Sequence, residues 1–195
     1  MWLDSTADWK NDKLYLPPFD VDTLPVNEPS IGWNELQSRP GIDIDLPATV
    51  EEYHWGANGN SFGTAGNYVG VSWFTTRLRI PENWKNRRIV LNFQSVRMRA
   101  EIYVNEKLAG YDLVDSTPFD VTIHDYVEYG KENFIAIRIT DPNGNFTWCD
   151  WPLFSWGAHK TIPSHGFGGI TGEVKLTVTD QSYIDDIFVK NKPAI

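Results

Sequence analysis

One segment of the chain, residues 143–169, concentrates the side chains that could recognise a flat, polar ligand. It holds six aromatic residues, five glycines and only two charged residues, Asp150 and Lys160. Its 27 residues show no strand alternation, and structureless segments beyond about 12–15 residues are usually functional or disordered. Because six aromatic residues argue against disorder, we predict that this segment forms a ligand-facing or domain-facing surface.

The chemistry that this composition favours is sugar binding. Tryptophan faces stack on the apolar faces of sugar rings, while carboxylates and amides bond to the hydroxyl groups. The candidate sugar-binding residues of the segment are Trp148, Asp150, Trp151, Trp156 and His165. An alternative stays open, in which the segment folds over an open end of the domain. Its tryptophans then complete the core, and Asp150 accepts hydrogen bonds from loop N–H groups.

Metal and cofactor sites are not predicted. His159 and His165 are six residues apart with Cys149 nearby, but this spacing matches no zinc signature, and a structural zinc site needs four ligands. The glycine-rich stretch 58–66 lacks both the Gly-Lys-Ser/Thr ending and the following helix of a phosphate-binding loop. We therefore expect no metal and no cofactor.

No pair of carboxylates is placed for glycoside hydrolysis, so no catalytic residue is predicted. Glu28 stands in an Asn-Glu-Pro sequence of the kind that carries the acid/base of many retaining glycosidases, but it lies in a proline-rich arm without a preceding barrel strand. A retaining mechanism also needs a second carboxylate about 5–5.5 Å away. Glu51 and Glu52 are expected to point to opposite faces of an extended segment, so they supply no pair.

The elements that carry these residues are predicted to be strands. From residue 70 the apolar period becomes two, so that Phe74, Leu78 and Ile80 share one face. Further alternating runs lie at 89–94, 100–104, 108–111, 119–123, 133–140 and 173–178. Short strands at regular spacing with almost no helical pattern predict an all-β fold, an antiparallel β-sandwich. Eight or so strands in two sheets make a jelly roll.

The two ends of the chain have a different character. Six of the twelve prolines lie in residues 1–66, but Trp2, Trp9 and Trp33 make this stretch too aromatic for a solvated tail. We predict an irregular arm that wraps on the sheet with its tryptophans as anchors. Residues 183–189 read as another strand after the sandwich, and we expect them to begin a further domain of a longer protein.

Charge and composition limit the classes of molecule that we expect the chain to bind. The 26 acidic residues exceed the 17 basic residues, which gives a formal net charge of −9. That field repels polyanions, so nucleic acid and anionic lipid surfaces are excluded as expected partners. No apolar run approaches the roughly 18 residues of a membrane span. The single cysteine, Cys149, excludes a disulfide framework within the chain.

Several motifs, in their order and spacing, resemble the N-terminal sugar-binding domain of glycoside hydrolase family 2, which includes β-galactosidases, β-glucuronidases and β-mannosidases. The match spans about residues 46–180, and Thr171 and Gly172 replace the aromatic residue and the arginine that usually follow its Gly-Gly-Ile. The motifs are GVSWFTTRLRIP at 70–81, IVLNFQSV at 89–96, AEIYVN at 100–105 with Gly110, TPFD at 117–120, GKEN at 130–133, and GGI at 168–170 with EVKL at 173–176.

The resemblance implies a jelly roll of galactose-binding-like architecture over residues 46–180, preceded by the arm at 1–45. It also implies that residues 181–195 hold a linker and the first strand of an immunoglobulin-like domain. In the family a (β/α)8 barrel with two catalytic glutamates follows, and this chain would hold neither. Loops of the first domain reach the active site in some β-galactosidases, which adds Asn67 to the candidate substrate-binding residues and supports Asp150.

Two classes of function follow. In the first, the chain is a non-catalytic domain of a β-galactosidase-like glycosidase that docks on the barrel and shapes its pocket. In the second, it is a stand-alone carbohydrate-binding module that uses the aromatic segment; a structural sandwich without a ligand is a third reading. The expected partners are carbohydrate and the downstream domains of the same chain. The compartment is not set by the sequence, and a bacterial periplasmic or extracellular location rests on analogy.

Overall fold

A computed structural model gives the architecture of the chain. It describes residues 1–9, 12, 21, 24, 26–39, 41–57, 68–141 and 166–190, together with the backbone of 154–156 and 159–161. The strands are β1 (Trp2–Asp4), β2 (Ala48–Thr49), β3 (Gly70–Arg79), β4 (Arg88–Phe93), β5 (Arg99–Val104), β6 (Lys107–Asp112), β7 (Phe119–Thr122), β8 (Glu132–Asp141), β9 (Phe154–Trp156), β10 (His159–Thr161), β11 (Gly169–Ile170) and β12 (Val174–Thr179). The helices are α1 (Trp33–Ser38) and α2 (Val50–His54), with a 3-10 turn at Glu82–Trp84.

The strands form two main antiparallel sheets. The larger has the order β1-β3-β8-β5-β6, and the smaller has the order β12-β4-β7. Two short pairs, β2 with β11 and β9 with β10, complete the described pairing. The predicted antiparallel β-sandwich is therefore confirmed. The six residues of α1 and the five of α2 are too few to cross a bilayer, and no other helix of the described residues could do so.

The main core lies between the two sheets because one face of each strand is apolar. Phe74 and Ile80 from the β3 side meet Leu91 and Phe93 from β4, with all four side chains at most 5% exposed. Phe93 also stacks on Phe119 of β7, with ring centroids 4.7 Å apart and planes 8° from parallel. The alternation predicted for β3 is confirmed on this face, where Leu78 packs partly buried.

The other face of the larger sheet is covered by the described residues from the first part of the chain. Trp73 and Tyr103 on this face are fully buried, and Trp33 of α1 packs edge-on to Trp73 with centroids 5.5 Å apart. Trp2 and Trp9 pack against the same cluster. This stretch is less irregular than expected, because β1 extends the sheet beside β3 and α1 follows. A three-residue strand is too short to show alternation in a sequence.

Four charged side chains are buried under this covering stretch, and we refer to them as the arm cluster: Asp12, Arg99, Glu101 and Arg138. All are at most 4% exposed. Arg138 donates to both oxygens of Asp12 at 2.8 and 2.9 Å and to Glu101 at 3.1 Å. Arg99 donates to Asp12 at 3.0 Å and also bonds Glu101. Two arginines and two carboxylates thus compensate each other without a net charge.

The described part of the chain ends on an extended, solvent-facing stretch. Residues 183–190 have no regular secondary structure, and Ile184, Ile187, Phe188 and Val189 are between 70% and 78% exposed. The strand predicted at 183–189 pairs with no described residue, so its role in a further domain stays a prediction.

Candidate functional site

Two stretches lie largely outside the described residues, and they contain the glycine-rich stretch 58–66 and most of the aromatic segment 143–169. The described residues that flank these two loop segments lie at one end of the sandwich. The first, residues 58–67, leaves after α2 and returns at Tyr68, just before β3. The second, residues 142–165, leaves β8 at Asp141 and returns at Gly166, just before β11. Gly70 and Asp141 are paired residues of neighbouring strands. Tyr68, Asp141 and Gly166 therefore lie together at what we call the loop end.

The Gly-Gly-Ile motif builds the floor of the loop end through close backbone contact. Gly169 pairs with Thr49 and exchanges two hydrogen bonds with the backbone of Arg97, at 2.8 and 2.9 Å. Its φ is +142°, and a Cβ there would lie 2.5 Å from the carbonyl oxygen of Ala48. Only glycine tolerates both the backbone conformation and the approach. Gly168 accepts a further bond from the N–H of Val50 at 2.7 Å.

Arg97 lies beneath the two ends of the second segment. Its side chain is 3% exposed, and Nη1 donates to Asp141 at 2.8 Å and to the carbonyl oxygen of Gly166 at 2.6 Å. Asp115 adds a carboxylate 3.6 Å from Nε. A guanidinium bonded to a carboxylate is the stronger kind of hydrogen bond. One side chain therefore joins the residue before the segment to the residue after it.

Glu51 anchors the first segment. Its Oε1 accepts the backbone N–H of Tyr68 at 3.0 Å, and its Oε2 is buried without a hydrogen-bond partner among the described residues. The pKa of Glu51 is raised from 4.5 to about 7, mainly by burial and to a smaller extent by the charge of Asp141, while the hydrogen bond from Tyr68 and the charge of Arg97 oppose the rise. The expectation of an extended segment was wrong here, because Glu51 and Glu52 lie on α2. Glu52 instead accepts the N–H of Thr49 at 2.8 Å.

The sequence-predicted site residues lie outside this description. Asn67, Trp148, Asp150, Trp151 and His165 fall outside the described residues, and for Trp156 only the backbone in β9 is described. The structure describes the residues that flank them in the sequence: Asn67 precedes Tyr68, and the other candidates lie between Asp141 and Gly166. Their contact with sugar stays a prediction.

A groove elsewhere in the sandwich has a different character. A groove of about 320 Å³ runs along the open side of the sandwich, lined mainly by Phe74, Leu78, Phe93, Ile137 and Leu176. Lys175 and two threonines are the polar members of its lining. Sugar sites need several placed polar groups for the hydroxyls, which the loop end offers and this groove does not. Among the described residues, no group of three His, Cys, Asp or Glu side chains is placed to hold a metal ion.

Sequence reasoning missed the three charged residues that organise the loop end. Arg97 stands in an ordinary polar stretch, Asp141 ends a strand, and Glu51 was expected in an extended segment. A signal for Glu51 was present, because Thr49 followed three residues later by Glu52 is the sequence of a helix capping box. No local pattern indicates that Arg97 and Asp141, 44 residues apart, form an ion pair.

Comparison with known proteins agrees with this fold. The family model described as "Glycosyl hydrolases family 2, sugar binding domain" matches residues 60–155. A β-galactosidase of Thermoanaerobacter pseudethanolicus is 28% identical over 130 residues, which cover 63% of this chain and 16% of that protein. A β-glucuronidase of Formosa agariphila is 27% identical over 128 residues, which cover 66% of this chain and 13% of that protein. The chain thus corresponds to about a sixth or less of these relatives.

Solved structures show the same similarity. A glycosyl hydrolase family 2 member from Bacteroides cellulosilyticus superimposes with a TM-score of 0.54 at 26% identity, covering 70% of this chain and 16% of that one. A β-D-glucuronidase from Dictyoglomus thermophilum gives a TM-score of 0.55 at 25% identity, covering 77% and 27%. In each case the matched region is less than a third of the solved chain.

Proposed function

The chain belongs to glycosyl hydrolase family 2 through its sugar-binding domain, and we propose that it is the non-catalytic part of a β-galactosidase- or β-glucuronidase-like enzyme. In this role it docks on the domain that carries the catalytic glutamates and shapes the substrate pocket. The relatives that suggest these substrates are several times longer than the matched region, which supports further domains in the same protein.

The observation that carries this proposal is that the described residues flanking both loop segments lie together at the loop end. Tyr68, Asp141 and Gly166 are held within one buried polar cluster. We propose that the residues of the two segments next to these three positions contact one ligand together. We propose that Asn67 and Asp150 bond to sugar hydroxyls, and that Trp148, Trp151, Trp156 and His165 line the same surface.

The exposed stretch after β12 supports docking to a further domain. Ile184, Ile187, Phe188 and Val189 lie within six residues and are all at least 70% exposed. Contiguous apolar exposure of this kind marks interaction surfaces. We propose that residues 181–195 lead into the first strand of an immunoglobulin-like domain, that residues 46–180 are the jelly roll and that residues 1–45 are its arm.

An activity assay tests the non-catalytic part of the proposal. The 195-residue chain is expected to release no chromophore from aryl β-galactosides or aryl β-glucuronides. Turnover by the purified chain that disappears in Asp150→Ala would contradict the proposal, because the catalytic residues would then lie within it.

Calorimetry separates the accessory role from the stand-alone module. The chain is titrated with galactosides, glucuronides and plant glycans, beside Trp148→Ala, Trp151→Ala and the control Trp84→Ala, whose tryptophan is in the 3-10 turn that follows β3. An accessory domain is expected to bind weakly, because the barrel supplies most of the pocket. Binding at millimolar or tighter Kd that both loop variants abolish and the control retains would favour the module.

A further inference from the structure

A pocket lies at the side of the sandwich where the last strands of the two main sheets approach each other. β6 ends the larger sheet and β7 ends the smaller one, and residues of both strands line the pocket together with the turn that follows β7. We refer to it as the side pocket, and it shares no lining residue with the loop end. Its volume of about 350 Å³ is in the range of pockets that hold small molecules, about 300–1,000 Å³.

A β-bulge in β6 shapes the floor of the side pocket. The register of β6 against β5 shifts between Ile102 and Tyr103, and Ala109 is the extra residue of this bulge. A Cβ on the next residue, Gly110, would lie 2.8 Å from a methyl carbon of Val121 on β7. The two strands approach this closely because Gly110 has no side chain. Bulges redirect neighbouring side chains and are over-represented beside functional sites.

Two tyrosines line the side pocket, and each packs against a different apolar core. Tyr111 of β6 packs against the cluster under the arm, whereas Tyr126 packs against the main core between the sheets. The carbonyl oxygen of Tyr126 accepts a hydrogen bond from Nδ2 of Asn105 at 3.1 Å, and Asn105 also donates to the buried Asn133 at 2.8 Å. The folded cores therefore hold this lining before a ligand binds, which lowers the cost of ordering on binding.

Three polar side chains line the same pocket: Asp120 and Thr122 of β7, and Asp125 of the turn that follows. Oδ1 of Asp120 accepts a hydrogen bond from Nδ2 of Asn92 at 2.7 Å, which orients this exposed carboxylate. The side chain of Asp125 is 81% exposed, and its Oδ2 lies 3.7 Å from Nε2 of His124. The lining thus combines aromatic residues with a hydroxyl group and two solvent-accessible carboxylates.

The charge of the side pocket favours a cationic ligand. Its described lining contains no lysine or arginine, and the chain as a whole has a formal net charge of −9. Burial raises the pKa of Tyr111, and the buried charges of Arg99 and Glu101 act on that pKa in opposite directions. The field at the rim is therefore set by the carboxylates, which attract cations and repel anions. Tyrosine rings also attract ammonium groups.

We propose that the side pocket binds an amino sugar, a monosaccharide that carries a protonated amine. Asp120 and Asp125 attract the ammonium group, the tyrosines contact the apolar face of the ring, and Thr122 bonds to a hydroxyl group. This site goes beyond the sugar contact proposed at the loop end and is independent of it. A failure of binding at the loop end would contradict the proposed function and leave the side pocket untouched, because the two sites have different reporter residues.

Backbone amide shifts in NMR locate and measure this binding. The natural chain is titrated with methyl β-D-glucosaminide, methyl β-D-glucoside and methylammonium chloride, at a mildly acidic pH where the amine is protonated and exposed carboxyls are ionised. The amino sugar should shift Gly110, Thr122 and Tyr126 most, and should bind about two- to fivefold more tightly than the neutral sugar, the factor of an exposed ion pair. Equal affinity for both sugars, equally tight binding of methylammonium, or no shift at these three amides would overturn the inference.

Neutralising the two carboxylates tests which groups carry the preference. The double variant Asp120→Asn/Asp125→Asn changes exposed side chains and should bind the two sugars equally, with the affinity for the neutral sugar unchanged. The matched control is Glu173→Gln/Asp180→Asn, which removes the same charge at exposed ion pairs elsewhere and should keep the preference of the natural chain. A preference that persists in the first double variant, or that is lost equally in the control, would contradict the assignment of the side pocket.

Discussion

The arm cluster and the loop end are built from the same residue types, but their charges are satisfied differently. In the arm cluster, Asp12 and Glu101 face Arg99 and Arg138, and every carboxylate oxygen accepts a hydrogen bond from a described donor. At the loop end, Arg97 forms ion pairs with Asp141 and Asp115 and its charge also acts on Glu51, whose Oε2 accepts no hydrogen bond from a donor in the described part of the chain.

This difference indicates two purposes for buried charge in one small domain. A balanced network, in which each carboxylate is fully bonded, fixes the covering residues in one position, and removing one member exposes the others to an uncompensated charge. A cluster that retains an unsatisfied, titratable carboxyl is costly for stability, and such costs are concentrated at functional sites. The predictions below test whether the two clusters differ in this way.

The largest effect is expected when the arm cluster is broken. Arg138→Met leaves Arg99 as the one described cation that bonds Asp12 and Glu101. This variant should lower the free energy of unfolding by about 3–5 kcal/mol in urea denaturation. Arg87→Met, at a pair whose side chains are 47% and 74% exposed, should cost less than about 1 kcal/mol. Equal small losses in both variants would mean that the arm cluster is not a stabilising network.

The loop end should respond in the opposite direction when its carboxyl is neutralised. Because the pKa of Glu51 is raised from 4.5 to about 7, the natural chain should lose stability as pH rises through this window, in total about 3 kcal/mol. Glu51→Gln should remove that loss, so it equals the natural chain at pH 4 and exceeds its unfolding free energy at pH 8.

The matched control for this comparison is Glu52→Gln, on the same helix. Its amide oxygen can still accept the N–H of Thr49, so the free energy of unfolding should stay close to that of the natural chain at each pH. A destabilising Glu51→Gln at pH 8 would contradict the assignment of Glu51 as the costly group.

A smaller effect is expected from filling the space beside Arg97. Gly166→Ala places a methyl group 2.7 Å from Nε of Arg97 at a φ of +144°, and should cost about 1–3 kcal/mol. Gly32→Ala is the control, because Gly32 has a φ of +78° but no atom within 4 Å of its Cβ position. Comparing the thermal unfolding of the two variants separates the cost of backbone strain from the cost of the contact with Arg97. An equal loss of stability in both variants would show that the contact with Arg97 is unimportant.

The smallest effect concerns the helix that carries Glu51. Glu52→Ala removes the acceptor of the Thr49 N–H and should cost about 1 kcal/mol, a usual magnitude for a lost helix cap. We expect the Tyr68 amide to exchange faster in this variant, because α2 positions Glu51. Unchanged exchange at Tyr68 would indicate that the strands hold Glu51 in place independently of the cap.

The features that were predicted from the sequence are those with a local pattern. Phe74, Leu78 and Ile80 recur at every second or fourth position on one face, and β3 and β8 are each ten residues long, so the strands and the sandwich could be predicted. By contrast, α2 has five residues, fewer than the window in which a helical period can be recognised.

The charged clusters could not be predicted because their members are distant in the sequence. Asp12 and Arg138 are 126 residues apart, and Arg97 is 69 residues before Gly166. Burial gives these residues their structural role. In the sequence each is an ordinary charged residue, and only the sheet register brings Glu101 opposite Arg138. The same holds for Glu51, whose environment includes Asp141 at the end of β8 and Arg97 before β5.

The most direct test of the account is a map of backbone amide shifts during titration of the chain with methyl β-D-galactoside and, separately, methyl β-D-glucuronide. We predict shifts that grow with sugar concentration for at least one of the two sugars, largest at Tyr68, Asp141 and Gly166, with little change at Thr75 and Lys175 in the apolar groove. Shifts concentrated at the groove, or an absence of shifts at the loop end with both sugars at the highest concentration, would contradict the claim that this end of the sandwich faces carbohydrate.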